Sequence, residues 1–90
     1  MTWCVYIVLC SDKTLYTGVA KDVDRRVHEH NTSDRLGARY TRGRRPVVLV
    51  YTEACADRGQ AARREVQIKR LSRREKEGLI RSTVRHAGSR

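Results

Sequence analysis

The stretch Trp3-Cys4-Val5-Tyr6-Ile7-Val8-Leu9, followed beyond Ser11-Asp12-Lys13 by Leu15-Tyr16-Thr17-Gly18-Val19-Ala20, decides how this chain folds. Both runs are rich in aliphatic and aromatic strand formers, and the polar break between them is of hairpin length, so the pattern predicts two antiparallel strands. Alternation puts Cys4, Tyr6 and Val8 on one face and Val5, Ile7 and Leu9 on the other. Tyr6 therefore lies on the opposite side from the aliphatic trio.

Outward from the hairpin, Asp22 is placed to cap a helix running to about His30, with Val23 and Val27 one turn apart as its apolar anchor. Arg26 and His30 complete the same i, i+3, i+4, i+7 stripe, whereas Arg25 and Glu29 are expected to face solvent. A cation on an apolar stripe either snorkels past the core edge or is aimed inward for a reason. Asn31 to Arg45 is polar, contains Gly37 and Gly43, and carries Arg35, Arg39, Arg42, Arg44 and Arg45; it reads as a loop with room for a short helical turn. Pro46 then opens a third strand, Val47 to Tyr51, where a missing N–H is tolerated.

Asp57 with Gln60 forms a capping pair for a second helix through Leu71, and Ser72-Arg73-Arg74-Glu75 is a capping box for a third that should fade near Ile80. Ala61, Glu65 and Ile68 share a face of the second helix. Glu65 is thus a carboxylate on the apolar stripe of an arginine-rich helix, which is costly unless something pairs with it. The order β-β-α-β-α-α predicts an α+β fold: a three-stranded, mainly antiparallel sheet flanked by helices. Ninety residues support one core, expected over residues 1–82, with 83–90 as a flexible tail.

The chain has 20 Lys plus Arg against 10 Asp plus Glu, a formal net charge of +10, and this balance points to a polyanionic partner, nucleic acid first. A membrane surface fits less well, because basic amphipathic anchors need Trp, Phe and Leu opposite the charge and here there is one Trp and no Phe. No apolar run is long enough to span a bilayer. Cys4, Cys10 and Cys55 are odd in number and lack C-x-x-C spacing, which argues against a disulfide framework or a zinc site; reduced thiols in the cytoplasm are the expectation.

The spacing Tyr6-x9-Tyr16-x-Gly18-x7-Arg26-x3-His30, with Glu65 on the later helix, resembles the GIY-YIG nuclease domain. Tyr6 stands in the GIY place and Tyr16-Thr17-Gly18 in the YIG place, and the similarity covers nearly the whole chain. The run Gly37-Ala38-Arg39-Tyr40-Thr41-Arg42-Gly43-Arg44-Arg45-Pro46 is similar to that of small bacterial stand-alone GIY-YIG proteins, and the domain also resembles the nuclease module of UvrC. The Tyr6 triplet lacks Gly and Ile, Tyr16 is followed by Thr, and no asparagine follows Glu65 on the helices, where several members have one. Tyr6, Tyr16, Arg26, His30 and Glu65 are, by this resemblance, the catalytic group, with Gly18 as the structural glycine of the motif.

Phosphodiester hydrolysis needs a base for water, a cation for the charge building at phosphorus, and a metal or acid for the leaving oxygen. Arg26 would be a bidentate phosphate clamp, and Glu65 the one protein carboxylate on a magnesium or manganese ion. A free phenol with a pKa of about 10 is only about 0.1% ionised at neutral pH, so nearby cations must lower that value or His30 must take the proton. Tyr6 is favoured as the base, with Tyr16 positioning. Arg35, Arg39, Arg42, Arg44, Arg45, Arg63 and Lys69 would track phosphates of duplex or branched DNA without reading sequence. The resemblance thus implies a metal-dependent DNA endonuclease of repair or recombination, with a recruiting protein partner in prospect. A nucleic-acid-binding protein of the same fold without catalysis, and an RNA-bound assembly protein, are the alternatives.

Overall fold

In the computed structural model, which describes residues 2–88, strands β1 (Trp3–Leu9) and β2 (Leu15–Ala20) form the expected hairpin, and β3 (Val48–Cys55) pairs with the other side of β1. Both pairings are antiparallel and the strand order is β2-β1-β3, so the most apolar strand occupies the centre. Asp12 holds the hairpin turn by accepting bonds from the backbone N–H and hydroxyl of Thr14 at 3.1 and 2.6 Å. Lys13 adopts the left-handed conformation there, with φ 72°.

The helices cover both faces of the sheet. Helix α1 (Val23–Thr32) places Val23 and Val27 against Tyr6, Val8, Cys10 and Val47. Helix α3 (Arg58–Lys69) buries Ala61 and Ile68 against Val5, Ile7, Tyr51 and Cys55 on the other face, joined by Leu79 and Ile80 of α4 (Arg73–Gly88). The arginine-rich loop contains one helical turn, α2 (Arg39–Arg42). The caps are those the sequence predicts. Asp22 accepts from the N–H of Arg25, Asp57 from that of Gln60, and Ser72 and Glu75 satisfy each other's backbone N–H at 2.8 and 3.1 Å.

Two elements run well past their expected ends. Helix α4 extends to Gly88 rather than fading near Ile80, so the proposed tail falls largely on this helix, with Ser89 and Arg90 outside the described residues. Strand β3 runs on to Cys55 rather than ending at Tyr51. It also carries an irregularity: Ile7 pairs with Tyr51 but Val8 with Leu49, leaving Val50 as an extra residue. That bulge sends Leu49 and Tyr51 to opposite faces although they are two residues apart, so strict alternation fails there. The three cysteines are free thiols, and Cys10 and Cys55 fill apolar positions.

Helix α3 is pinned to β3 by a polar contact as well as by its core face. Arg64 Nε donates to both Glu53 carboxylate oxygens at 3.1 and 3.0 Å, and the Tyr51 hydroxyl donates to Glu53 at 2.6 Å. This fixes the helix that carries Glu65.

Candidate active site

Tyr6 sits on the central strand directly opposite Gly18 of β2. Its ring lies across the glycine, since a Cβ built there would meet Tyr6 Oη at 2.5 Å and Cζ at 2.6 Å. The missing side chain is what lets the phenol reach over the edge strand to α1. There Tyr6 Oη meets His30 Nε2 at 2.7 Å, with Tyr6 1% and His30 0% exposed.

His30 is held from its other side. Its Nδ1 lies 2.9 Å from Thr41 Oγ1, and the Thr41 hydroxyl donates to Ala38 O at 3.0 Å. The backbone N–H of Ala38 also donates to Nδ1, at a longer 3.3 Å. With the proton on Nδ1, Nδ1–H donates to Thr41, Thr41 to Ala38 O and Tyr6 O–H to Nε2; with Nδ1 as acceptor of the Ala38 N–H, Nε2–H donates to Tyr6 Oη instead. In the first arrangement His30 presents a lone pair to the phenol; the buried Thr41 hydroxyl and the Ala38 N–H pull the tautomer in opposite directions.

The electrostatics keep both groups neutral. Burial pushes Tyr6 up to about 12, with the neighbouring Tyr16 and Glu65 adding to the rise and Arg26 opposing it. Burial first, and then the Arg26 charge, lowers His30 to about 4. Of the two routes expected for Tyr6, lowering by nearby cations or proton acceptance by His30, the first is outweighed here: Arg26 pulls in that direction, but desolvation of the buried phenol is larger. The His30 value has a consequence for folding. The unfolded chain takes up this proton near pH 6.5 and the folded chain only near 4, so acid favours the unfolded state across that window. Stability should be highest above about pH 6.5 and fall by on the order of 3 kcal/mol as pH drops to 4. Denaturant titrations at pH 7 and 4.5, with NMR titration of the His30 imidazole, check this; a midpoint near 6.5 in the folded protein would reverse it.

Arg26 lies on the same helix face, but Glu29 does not point to solvent as the stripe suggested. Its side chain is 17% exposed and it accepts from Arg25 at 3.2 Å and from Arg26 at 3.0 Å. The Arg26 hydrogen bond holds the Glu29 carboxyl below its usual range. Arg26 also donates to Leu36 O, which aims its guanidinium along the rim of the site. Tyr16 completes the group from β2, its ring 5.4 Å from that of His30 at 71°. Tyr40 stacks on Tyr16 at 5.7 Å, and Arg44 covers Tyr40 at 4.0 Å.

Glu65 approaches from the other helical layer. Its side chain is 25% exposed, it pairs with Lys69 at 3.1 Å, and its charge reaches Tyr6. The structure thus gathers Tyr6, Tyr16, Arg26 and His30 by contact around Gly18, with Glu65 linked to Tyr6 through its charge.

The arginine loop is divided in its tasks. Arg45 donates to His30 O at 2.6 Å, Ser33 O at 2.9 Å and Asp34 at 2.9 Å, and Arg44 donates to Asp12 at 2.9 Å and Tyr40 O at 2.8 Å. These two fold the loop over His30. Arg35, Arg39, Arg42, Arg63 and Lys69 are exposed, although Arg42 also donates to Asp34 O at 3.1 Å within the loop. Thr41, Tyr40 and Glu29 escaped the sequence reading, because an irregular loop has no period and Glu29 sits beside the stripe rather than on it. The only sequence signal for the first two was their place in the Gly37–Pro46 run.

The model of the GIY-YIG catalytic domain matches residues 2–78, and the chain belongs to the GIY-YIG family, a family of nucleases. Its relatives are UPF0213 proteins. It is 54% identical over 81 residues to the one from Desulfotalea psychrophila, covering 90% of this chain and 73% of that protein. It is 56% identical over 76 residues to the one from Halobacterium salinarum, covering 84% and 96%. Among solved structures it is similar to the NMR structure of the UPF0213 protein BH0048 from Bacillus halodurans, with TM-score 0.56 and 48% identity over 89% of this chain and 83% of that one. The NMR structure of EF2693 from E. faecalis gives TM-score 0.63 and 35% identity over 92% and 86%. No helix among the described residues is long and apolar enough to cross a membrane.

Proposed function

We propose that this protein is a metal-dependent endonuclease that hydrolyses DNA phosphodiester bonds, duplex or branched, with little sequence preference. The observation that carries the reading is the buried Tyr6–His30–Thr41 chain beside Arg26, on a protein with a formal net charge of +10. Arg26 would hold the scissile phosphate through its fork of N–H donors. Tyr6 Oη would accept the proton of the attacking water while its own proton passes to His30 Nε2. Burial raises Tyr6 and lowers His30, which disfavours a phenolate–imidazolium intermediate, so the two proton transfers would be coupled. Tyr16, packed against His30, would position it.

No group of three or more His, Cys, Asp or Glu side chains that could hold a metal occurs among the described residues. A single accessible carboxylate is a poor zinc or calcium site but fits Mg2+ or Mn2+, which takes one or two carboxylates, substrate phosphate oxygens and water. Glu65 meets that description, because only an exposed lysine has to give way. A metal bound there would supply Lewis-acid stabilisation of charge on the phosphate oxygens.

The exposed basic residues Arg35, Arg39, Arg42, Arg63 and Lys69 would follow the backbone, and a small single domain would act in cytoplasmic repair or recombination through a recruiting partner. If about five phosphates are neutralised, log affinity should fall with log salt at a slope near −4 to −5. A flat response in a filter-binding titration removes the electrostatic part of the reading. Binding without cleavage is the second reading, favoured by a phenol that burial keeps at about 12. Incubating labelled duplex DNA, branched DNA and RNA with the protein, with Mg2+ and with chelator, separates them. Metal-dependent cleavage of DNA is the expected result; binding with no cleavage under any divalent ion leaves the second reading.

A further inference from the structure

Trp3, the chain's single tryptophan, stands half-buried at the open end of the sheet. It lines a shallow recess of about 290 Å³ together with Ala20, Lys21, Asp22 and Arg25, Arg26 and Glu29 of α1. Lys21 Nζ lies 5.2 Å from the centre of the indole and Arg58 Cζ 5.6 Å from it. Both carboxylates of the recess are already engaged: Asp22 caps the N–H of Arg25, and Glu29 is paired with Arg25 and Arg26.

These features select a class of occupant. Asp22 and Glu29 are held by their own partners, and the indole and the side chain of Ala20 offer an apolar surface between the cations at the edge. The volume is near the lower limit for small-ligand pockets, enough for one planar heterocycle. Lys21 and Arg58 at the rim are free to shift onto an adjoining phosphate, leaving the ring to a base. Arg26 belongs to both this recess and the Tyr6–His30 site, so a phosphate on its guanidinium brings the neighbouring nucleotide to the mouth of the slot.

We propose that this recess is a nucleobase subsite in which the base flanking the cleaved phosphate stacks on Trp3. The proposal rests on the nuclease reading and narrows its substrate: a base can enter only if it has left the duplex stack, so the preferred DNA carries an unpaired nucleotide at the cut, as at a branch, a flap or an end. A fully paired duplex can use the backbone contacts alone.

Trp3 reports on its own slot. In chelator, so that nothing is cut, wild-type protein is titrated with a duplex carrying one unpaired nucleotide, with the same duplex abasic at that position, and with a fully paired duplex, while indole fluorescence and anisotropy of labelled DNA are followed. The unpaired base should quench the indole, and the abasic and paired duplexes should bind without quenching it. Trp3→Leu, which stays apolar towards the core, should bind the unpaired-nucleotide DNA roughly tenfold more weakly and the paired duplex unchanged. Equal binding of unpaired and abasic DNA with unaltered fluorescence overturns the subsite and leaves the nuclease reading standing. Failure of every DNA to bind overturns both.

Discussion

Arg26→Ala is expected to lower the rate of DNA cleavage about a thousandfold, on the order of 4 kcal/mol of transition-state stabilisation. The size follows from where the guanidinium sits: next to a phenol and an imidazole that both stay neutral, it is the cation of the cluster that can meet charge developing at phosphorus. Arg26 also holds Glu29 and Leu36 O, so alanine loosens the loop over the site as well. Two companions separate these effects. Glu29→Gln keeps the guanidinium and weakens only its alignment, and should cost about tenfold. Arg26→Lys keeps the charge without the fork and should fall between the two. Glu65→Gln should match Arg26→Ala in rate and abolish the response to Mg2+, with circular dichroism unchanged in both. Cleavage within tenfold of wild type in Arg26→Ala or Glu65→Gln would mean that the site is elsewhere or that the activity comes from a contaminant.

How much of this was legible in the sequence depends on whether the signal is local. The hairpin, the Asp22 and Asp57 caps and the Ser72–Glu75 box were readable because each is set by residues within a few positions of one another. The alternation that put Tyr6 and Ile7 on opposite faces survived, since β1 is regular. It failed in β3, where the bulge at Val50 depends on pairing with a strand some forty residues away. The same limit applies to the site. Arg26 and His30 were visible as polar residues on an apolar stripe, but the orientation of His30 is set by Thr41, a long-range contact inside an aperiodic loop. Arg44 and Arg45 look like their exposed neighbours in sequence, and only the fold distinguishes arginines that close a loop from arginines left facing solvent.

Gly18→Ala is expected to destabilise the protein by about 2–4 kcal/mol, a large part of the 5–9 kcal/mol typical of a domain this size. Strand propensity argues the opposite, because replacing a glycine inside a strand with alanine ordinarily gains about 0.5–1 kcal/mol. Sterics decide the sign. The new methyl would lie 2.5 Å from Tyr6 Oη, 2.6 Å from Cζ and 3.0 Å from Cε2. The phenol cannot swing away cheaply, since its residue is 1% exposed and its oxygen is bonded to buried His30. Moving it leaves a hydroxyl and an imidazole nitrogen unpaired inside the protein, which adds to the overpacking cost. Thermal unfolding should show a fall in Tm of about 10–25 °C, and cleavage should fall with it even at temperatures where the variant is folded. An unchanged or higher Tm would mean that the ring does not lie across Gly18. Tyr6→Phe in the same background sharpens the test: it removes the contact at 2.5 Å but keeps Cζ at 2.6 Å, so the pair should lose less than the two single losses combined while remaining below wild type. That non-additivity ties the glycine of the hairpin to the phenol it accommodates, and so places the geometry of the candidate base in a residue that carries no side chain.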